Sequence, residues 1–323
     1  GDVFLVGGGA NLEGHGPGTS ITADNLRMEN VLVIQGAAGD AFITDVATLT
    51  LVDIETQAIL SNDNDLSILA ANEDIDATLD ITAQGDLTVD GAIDTTANAI
   101  ALTSGGDMIF NSSTSATDAA ATITLDAGGA IVDTGDAATS TINAENLEII
   151  DAASIGASTG DDALDIAVTS LTIAGAGDTV AVSGNSYIEE ADGLTITSTV
   201  TDGGISITST TGDVILTSMT TSDDSVSVTA TTGTLTVATV AAGTGNVTLE
   251  ATAAALVDDE AATLISGGLV TLTSGVSIGI DDPMDTAATQ LAAHVTGAGP
   301  VAIIEEDGVE LLDIDTANGL ITI

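Results

Sequence analysis

The residues of this chain that could carry chemistry are almost all carboxylates. Its 323 residues include 49 Asp and Glu, two His and one strong base, Arg27, which gives a formal net charge of −48. Ca²⁺ binds about six to eight oxygen ligands, mostly carboxylates and backbone carbonyls. Two groups of acids therefore predict calcium sites, namely Asp63, Asp65, Asp74 and Asp76, and Asp161, Asp162 and Asp165. The alternative is a solvated acidic surface suited to saline water, because neither an EF-hand spacing nor a calcium-binding nonapeptide is present.

The composition also excludes several classes of partner. One Arg and no Lys cannot neutralise a phosphate backbone, so we expect no nucleic acid partner, and the same shortage disfavours an anionic lipid surface. The uncharged stretch 225–249 is long enough to cross a bilayer. It is rich in Thr and Gly and alternates with a period of two, which indicates stacked strands, so we predict no membrane insertion. The absence of Cys excludes disulfides and thiolate metal sites.

The elements that must position the acids are short alternating strands in a repeat. Apolar–polar–apolar triplets begin at Ile205, Val214, Val226, Leu235 and Val247, and also at Leu66, Leu79, Leu87, Ile100 and Met108. In both series a short step and a long step alternate, and together they make a common period of about 21 residues. Many triplets follow a Gly-Asp pair, such as Gly85-Asp86 or Gly212-Asp213, and these residues tolerate the backbone of a tight corner.

This repeat predicts an all-β fold, a right-handed parallel β-helix (β-solenoid) with about 21 residues in each coil. Dividing the length by the period gives about 15 coils, in one continuous solenoid over residues 1–323. The interior would be a column of stacked small aliphatic side chains, which explains how a chain with four aromatic residues can have a core. Residues 111–165 and 281–298 are predicted to be irregular coils or loop insertions, and a short helix in the second is an open alternative.

Both ends of the sequence have strand patterns and no evident capping segment. Solenoids need caps because bare terminal coils expose apolar surface and unpaired strand edges. We therefore predict that the ends assemble head to tail with further copies of the chain, or continue into further coils of a longer chain. The predicted assembly residues are Val3, Phe4, Leu5, Val6, Leu320, Ile321 and Ile323.

Three segments carry a resemblance to a known family. Residues 194–200, 203–209 and 211–217 resemble the repeats of filamentous-haemagglutinin-like large bacterial exoproteins. That resemblance implies a right-handed β-helix shaft that is extracellular or on the cell surface. The expected function is accordingly a non-catalytic structural shaft segment or filament subunit, with an adhesin shaft that binds a carbohydrate or protein receptor as the main alternative.

Two weaker alternatives concern ice and polysaccharides. The pairs Thr195-x-Thr197, Thr229-x-Thr231 and Thr234-x-Thr236 could form an ice-binding array. Gly14-His15-Gly16 is similar to an element of pectin hydrolases that share the β-helix fold, but here it precedes the acids and no Arg-x-Lys follows. Lyases of this fold need more bases than Arg27 alone. We therefore predict no enzymatic activity and interpret His15 and His294 as incidental.

Overall fold

The computed structural model describes residues 3–13, 25–35, 48–54, 59–62, 66–70, 79–83, 85–95, 99–116, 119–134, 140–158, 162–174, 181–259 and 264–323. Within these ranges the chain forms strands connected by turns and contains no helix. The predicted fold class is confirmed, since the chain is an all-β parallel β-solenoid whose turns are about 21 residues apart. The chain divides into two compact units, Gly1–Ala167 and Val168–Ile323.

In its described residues the first unit contains fifteen strands and the start of a sixteenth. They are β1 Val3–Glu13, β2 Asn25–Gln35, β3 Thr48–Ile54, β4 Ile59–Asn62, β5 Leu66–Ala70, β6 Leu79–Ala83, β7 Leu87–Val89, β8 Ile93–Thr95, β9 Ala99–Ser104, β10 Met108–Phe110, β11 Thr114–Ala116, β12 Thr122–Ala127, β13 Ala130–Asp133, β14 Ile142–Asp151, β15 Ser154–Ile155 and β16 Leu164–Ile173. Strands of successive coils pair in parallel, as in the ladders β3–β5–β7–β10–β13 and β4–β6–β9–β12–β14.

The second unit contains the remaining strands. They are β17 Ser186–Glu190, β18 Leu194–Thr201, β19 Ile205–Ser209, β20 Val214–Thr221, β21 Val226–Ala230, β22 Leu235–Ala241, β23 Val247–Ala251, β24 Leu256–Asp258, β25 Leu264–Ser274, β26 Met284–Val295, β27 Val301–Glu305, β28 Glu310–Thr316 and β29 Ile321–Thr322. One ladder, the front ladder, is β17–β19–β21–β23–β25–β26–β28. A second, the side ladder, runs through β18, β20, β22 and β24 and continues through Ile278 to β27 and β29.

The front ladder keeps the predicted period. Its residues pair in the order Ile205, Val226, Val247, Val270, Leu291 and Leu311, in agreement with turns that are about 21 residues apart. Every strand start predicted in this unit is confirmed, and in the first unit one start differs by a single position, with β9 beginning at Ala99. The described residues form about 10 turns, and this count differs from the predicted number of about 15.

The two irregular regions also contain strands. Thr122 of β12 pairs with Asn146 of β14, a step longer than the common period, and the register shifts after Leu125. Residues 281–298 contain the strand β26 rather than the alternative helix. A strand is favoured over a helix there because it places Met284, Ala288 and Leu291 in the solenoid interior.

The core consists of aliphatic columns. In the front ladder Ile205, Val226, Val247 and Val270 are at most 2 % exposed, because each inward side chain is covered by the equivalent side chains of the coils on either side. Phe110 is the largest fully buried side chain among the described residues. Stacked small side chains thus replace the aromatic residues of an ordinary core.

Candidate functional site

The Asp residues at the Gly-Asp corners join one coil to the next. Oδ1 of Asp86 accepts a hydrogen bond from the backbone N–H of Asp107 at 2.8 Å, and Oδ1 of Asp107 accepts one from Ala130 at 2.8 Å. In the second unit Oδ1 of Asp213 accepts from the N–H of Thr234 at 2.8 Å. These bonds involve an ionised acceptor, which makes them stronger than bonds between neutral groups. We call this arrangement the corner bond.

A corner bond at Asp223, which follows Ser222 and not a Gly, explains a glycine in the next coil. Oδ1 of Asp223 accepts from the N–H of Thr244 at 2.8 Å, and Gly243 lies directly against this carboxylate. Gly243 has a φ of +57°, and a Cβ on it would overlap Oδ1 of Asp223. A Cβ on Gly106 would overlap the carboxylate of Asp86 in the same way. Glycine therefore leaves the space that the acid of the preceding coil needs, a role that sequence reasoning about turn conformation missed.

The predicted calcium ligands fall into two groups. Asp63, Asp65, Asp74, Asp76 and Asp161 lie outside the described residues, and a calcium site there stays a prediction. Asp162 and Asp165 are described and differ in environment.

Asp162 is exposed and its Oδ2 accepts from the Ser158 hydroxyl at 3.0 Å, whereas Asp165 is 4 % exposed and its backbone N–H donates to Oδ2 of Asp133 at 3.3 Å. In the ranges that the structure describes, no group of three or more His, Asp or Glu could hold a metal ion.

Stacked acids do interact unfavourably where the ladder brings them together. Asp126 of β12 pairs with Asp151 of β14. Burial, and after it the charge of Asp151, raises the pKa of Asp126 above its usual value. The charge on the neighbouring rung is therefore unfavourable for the ionised form of Asp126, second to the effect of burial.

Glu190 is the most unusual acid of the described chain. It ends β17 on the inward face and is 0 % exposed, at the ladder position that Ser209 takes in the next coil. Its Oε2 accepts from the N–H of Val168 at 3.1 Å and its Oε1 from the N–H of Asp192 at 3.1 Å. Burial raises the pKa of Glu190 to about 8; the two N–H donors act against this rise, and the Asp192 carboxylate adds to it.

The histidines lie in different situations. His15, with its Gly-His-Gly segment, is outside the described residues. His294 is half exposed on β26, and its Nδ1 forms an ion pair with Oδ1 of Asp315 in the neighbouring strand β28. This contact joins the two paired strands β26 and β28.

The predicted Thr pairs do not form one array. We call a row of residues that pair with one another through successive coils a file. Thr195 and Thr236 are in the same file of the side ladder, but Ile215 lies between them. Thr229 belongs to the front ladder. On the outer surface of the front ladder, one file contains four aligned hydroxyl groups, those of Ser206, Ser227, Thr248 and Thr271.

A groove lies at the start of this file. It has a volume of about 300 Å³, and its lining includes Tyr187, Ser206, Ser227, Asn185 and Asp224. Tyr187 pairs with Ser206, which pairs with Ser227, so the ring precedes a file of small hydroxylated side chains. Sequence reasoning missed this groove because it depends on the register of three strands.

The last coil differs from the interior coils in its exposure. Leu311 is 50 % exposed although the residues before it in its column are buried, and Ile321 is 41 % exposed although Val301 before it is 0 % exposed. Leu320 and Ile323, also predicted as assembly residues, are 73 % and 47 % exposed. For Val3, Phe4, Leu5 and Val6 the structure describes the backbone, which pairs in parallel with β2.

These features define the chain as a repeat protein of the parallel β-solenoid class. Comparisons with models of protein families, with curated proteins and with solved structures gave no match to it. In the part of the chain that the structure describes, we found no helix with the length and hydropathy needed to cross a bilayer.

Proposed function

We propose that this chain is a non-catalytic, extracellular structural protein, a shaft segment or subunit of a head-to-tail filament or adhesin on a cell surface. The filamentous-haemagglutinin-like resemblance of residues 194–217 supports the adhesin assignment. The proposed role of the chain is mechanical, since parallel backbone ladders and an aliphatic column make a stiff element with an acidic exterior. The corner bonds support a structural role for the acids, because these carboxylates already bind the backbone of the next coil.

The observation that carries the proposal is the exposed last rung. The apolar surface exposed to water in this rung equals that of about two fully exposed large side chains, summed over Leu311, Leu320, Ile321 and Ile323. Covering it with another coil would gain about 4 kcal/mol from burial alone, before the new backbone hydrogen bonds are counted. The partners in this proposal are a second copy of the chain or further coils of a longer chain, and divalent cations that bind its acids.

Electron microscopy and sedimentation velocity over a range of protein concentrations test the assembly. We expect elongated oligomers that grow with concentration, and that grow further when salt screens the repulsion between highly negative copies. Leu311→Asp should abolish this growth, because it places a charge in the contact.

Ile215→Asp is the matched control, since Ile215 is 46 % exposed but is in an interior coil. A wild-type chain that stays monomeric at every concentration and salt, or a Leu311→Asp variant that assembles like the wild type, would overturn head-to-tail assembly of separate copies.

A further inference from the structure

The outer surface of the front ladder is unusual for so acidic a chain. Its first file presents only hydroxyl groups from Ser206 to Thr271, and the second contains Thr208, Thr229 and Thr273 together with two acids, Glu189 on the strand of Tyr187 and Glu250. Successive strands are about 4.8 Å apart, so the hydroxyl groups of the first file form a regular, uncharged strip. In a chain with a net charge of −48, this strip is a surface where a neutral polymer can approach without meeting dense negative charge.

The groove at the start of the strip contains the elements of a binding site. Tyr187 lines it and is partly exposed, as are the Ser206 and Ser227 side chains, and Asp224 is exposed at its rim. The N–H of Gly204 donates to Oδ1 of Asn185 at 3.0 Å, which holds one wall of the groove in place. Rigid strands fix the positions of the Tyr ring and both hydroxyl groups before any ligand arrives, which lowers the entropic cost of binding.

The chemistry of the lining selects a ligand class. An aromatic ring offers an apolar face with one polar end, and Ser hydroxyl groups both donate and accept hydrogen bonds. A carboxylate accepts hydrogen bonds from hydroxyl groups. Sugars present apolar C–H faces and many hydroxyl groups, so they satisfy all three, whereas an anionic glycan would be repelled by Asp224 and by the charge of the whole chain.

We propose that the Tyr187 groove binds a neutral oligosaccharide. The ring of Tyr187 packs on the face of one sugar, Ser206 and Ser227 bond to its hydroxyl groups, and the glycan extends along the hydroxyl strip. This site deepens the adhesin alternative of the proposed function and is independent of whether the chain assembles.

The chain supplies its own reporter for the test. Tyr187 is its single Tyr and it has no Trp, so tyrosine fluorescence reports this groove alone. The probes are cellotetraose, maltotetraose and the tetramer of N-acetylglucosamine, titrated into the intact chain up to about 10 mM. We expect a saturable fluorescence change with at least one of them.

Two variants with equal added charge locate the binding. Ser206→Glu places a bulky carboxylate in the groove and should weaken binding at least about tenfold. Thr236→Glu adds the same charge at a partly exposed position of the side ladder and should leave the affinity unchanged. Tyr187→Phe should keep most of the affinity and Tyr187→Ala should lose it, both measured by calorimetry.

Three results would each overturn the proposal. One is the absence of a saturable change with all three probes, and another is a Ser206→Glu variant that binds like the wild type. The third is tighter binding of an oligogalacturonate than of any neutral probe, which would contradict the ligand class. Assembly is read separately by sedimentation, so failure of the groove and failure of the filament are distinguishable.

Discussion

Replacing Glu190 by Gln should make the stability of the solenoid less dependent on pH. Burial raises the pKa of Glu190 to about 8, from an ordinary value of 4.5. Between these two values the folded state keeps a proton that the unfolded state has released. The free energy of unfolding therefore falls as the pH rises through this window, and the contribution of Glu190 is most favourable below the lower value.

The size of the effect follows from the width of the window. Each pH unit between the two pKa values costs at most about 1.4 kcal/mol, so the full loss above pH 8 is at most about 5 kcal/mol. Gln has no charge to desolvate and cannot show this loss. We expect the wild type and Glu190→Gln to be similarly stable near pH 5, and the variant to be more stable by several kcal/mol near pH 9.

Urea unfolding followed by circular dichroism at a series of pH values measures this difference. The other acids also titrate, so the quantity to plot is the wild-type free energy minus that of Glu190→Gln. Glu189→Gln is the matched control, because it removes a neighbouring charge on the outer face of the same strand, where Glu189 is only partly buried. Parallel curves for the wild type and Glu190→Gln would refute the assignment of a buried, proton-retaining carboxyl group.

Two further predictions concern the corner bonds. Asp213→Ala should destabilise the chain by about 1.5–3 kcal/mol, because it removes a hydrogen bond from Thr234 to a charged acceptor; Asp213→Asn keeps an acceptor and should lose less. Asp281→Ala, at an exposed residue, is the control, and equal losses in urea unfolding for Asp213→Ala and Asp281→Ala would contradict the role of the corner bond. Gly243→Ala should cost about 2–4 kcal/mol, because the new Cβ strains a positive φ and displaces the Asp223 carboxylate. Its cost should shrink in an Asp223→Ala background, and fully additive losses in this double-mutant cycle would show that the two residues act independently.

The fold could be predicted because its causes are local. Alternation with a period of two places one face of each strand inward, and Gly-Asp corners mark where each strand begins. The predicted starts at Val214 and Leu235 therefore agree with β20 and β22. The longer step between β12 and β14 could not be located in this way, since an insertion changes the length of a coil without disturbing the alternation.

The groove and the corner bonds depend on the register between paired strands, and local sequence patterns do not encode this register. Tyr187 and Ser206 are nearly one full coil apart along the chain and meet only because β17 pairs with β19 in one alignment. Glu190 could have been found, because its alternation with Ile188 places both on the inward face. The corner bonds have a faint signal as well, an Asp followed about one period later by a Gly, as with Asp86 and Gly106. Searching the sequence for acids close together in one loop does not reveal this use, because the carboxylate and its N–H partner belong to different coils.

The corner bonds also give the solenoid a chemical direction. In each of them the carboxylate belongs to the earlier coil and the N–H group to the later one, as with Asp213 and Thr234. A newly formed coil therefore meets acceptors that are already in position, while its own acids point toward the coil that will follow. A coil that is added on the C-terminal side of a folded coil therefore finds hydrogen-bond acceptors in place. Each contact spans about one period of the chain, which keeps the entropic cost of loop closure small. Acids that make the chain so negative thus also join each of these coils to the coil that follows it.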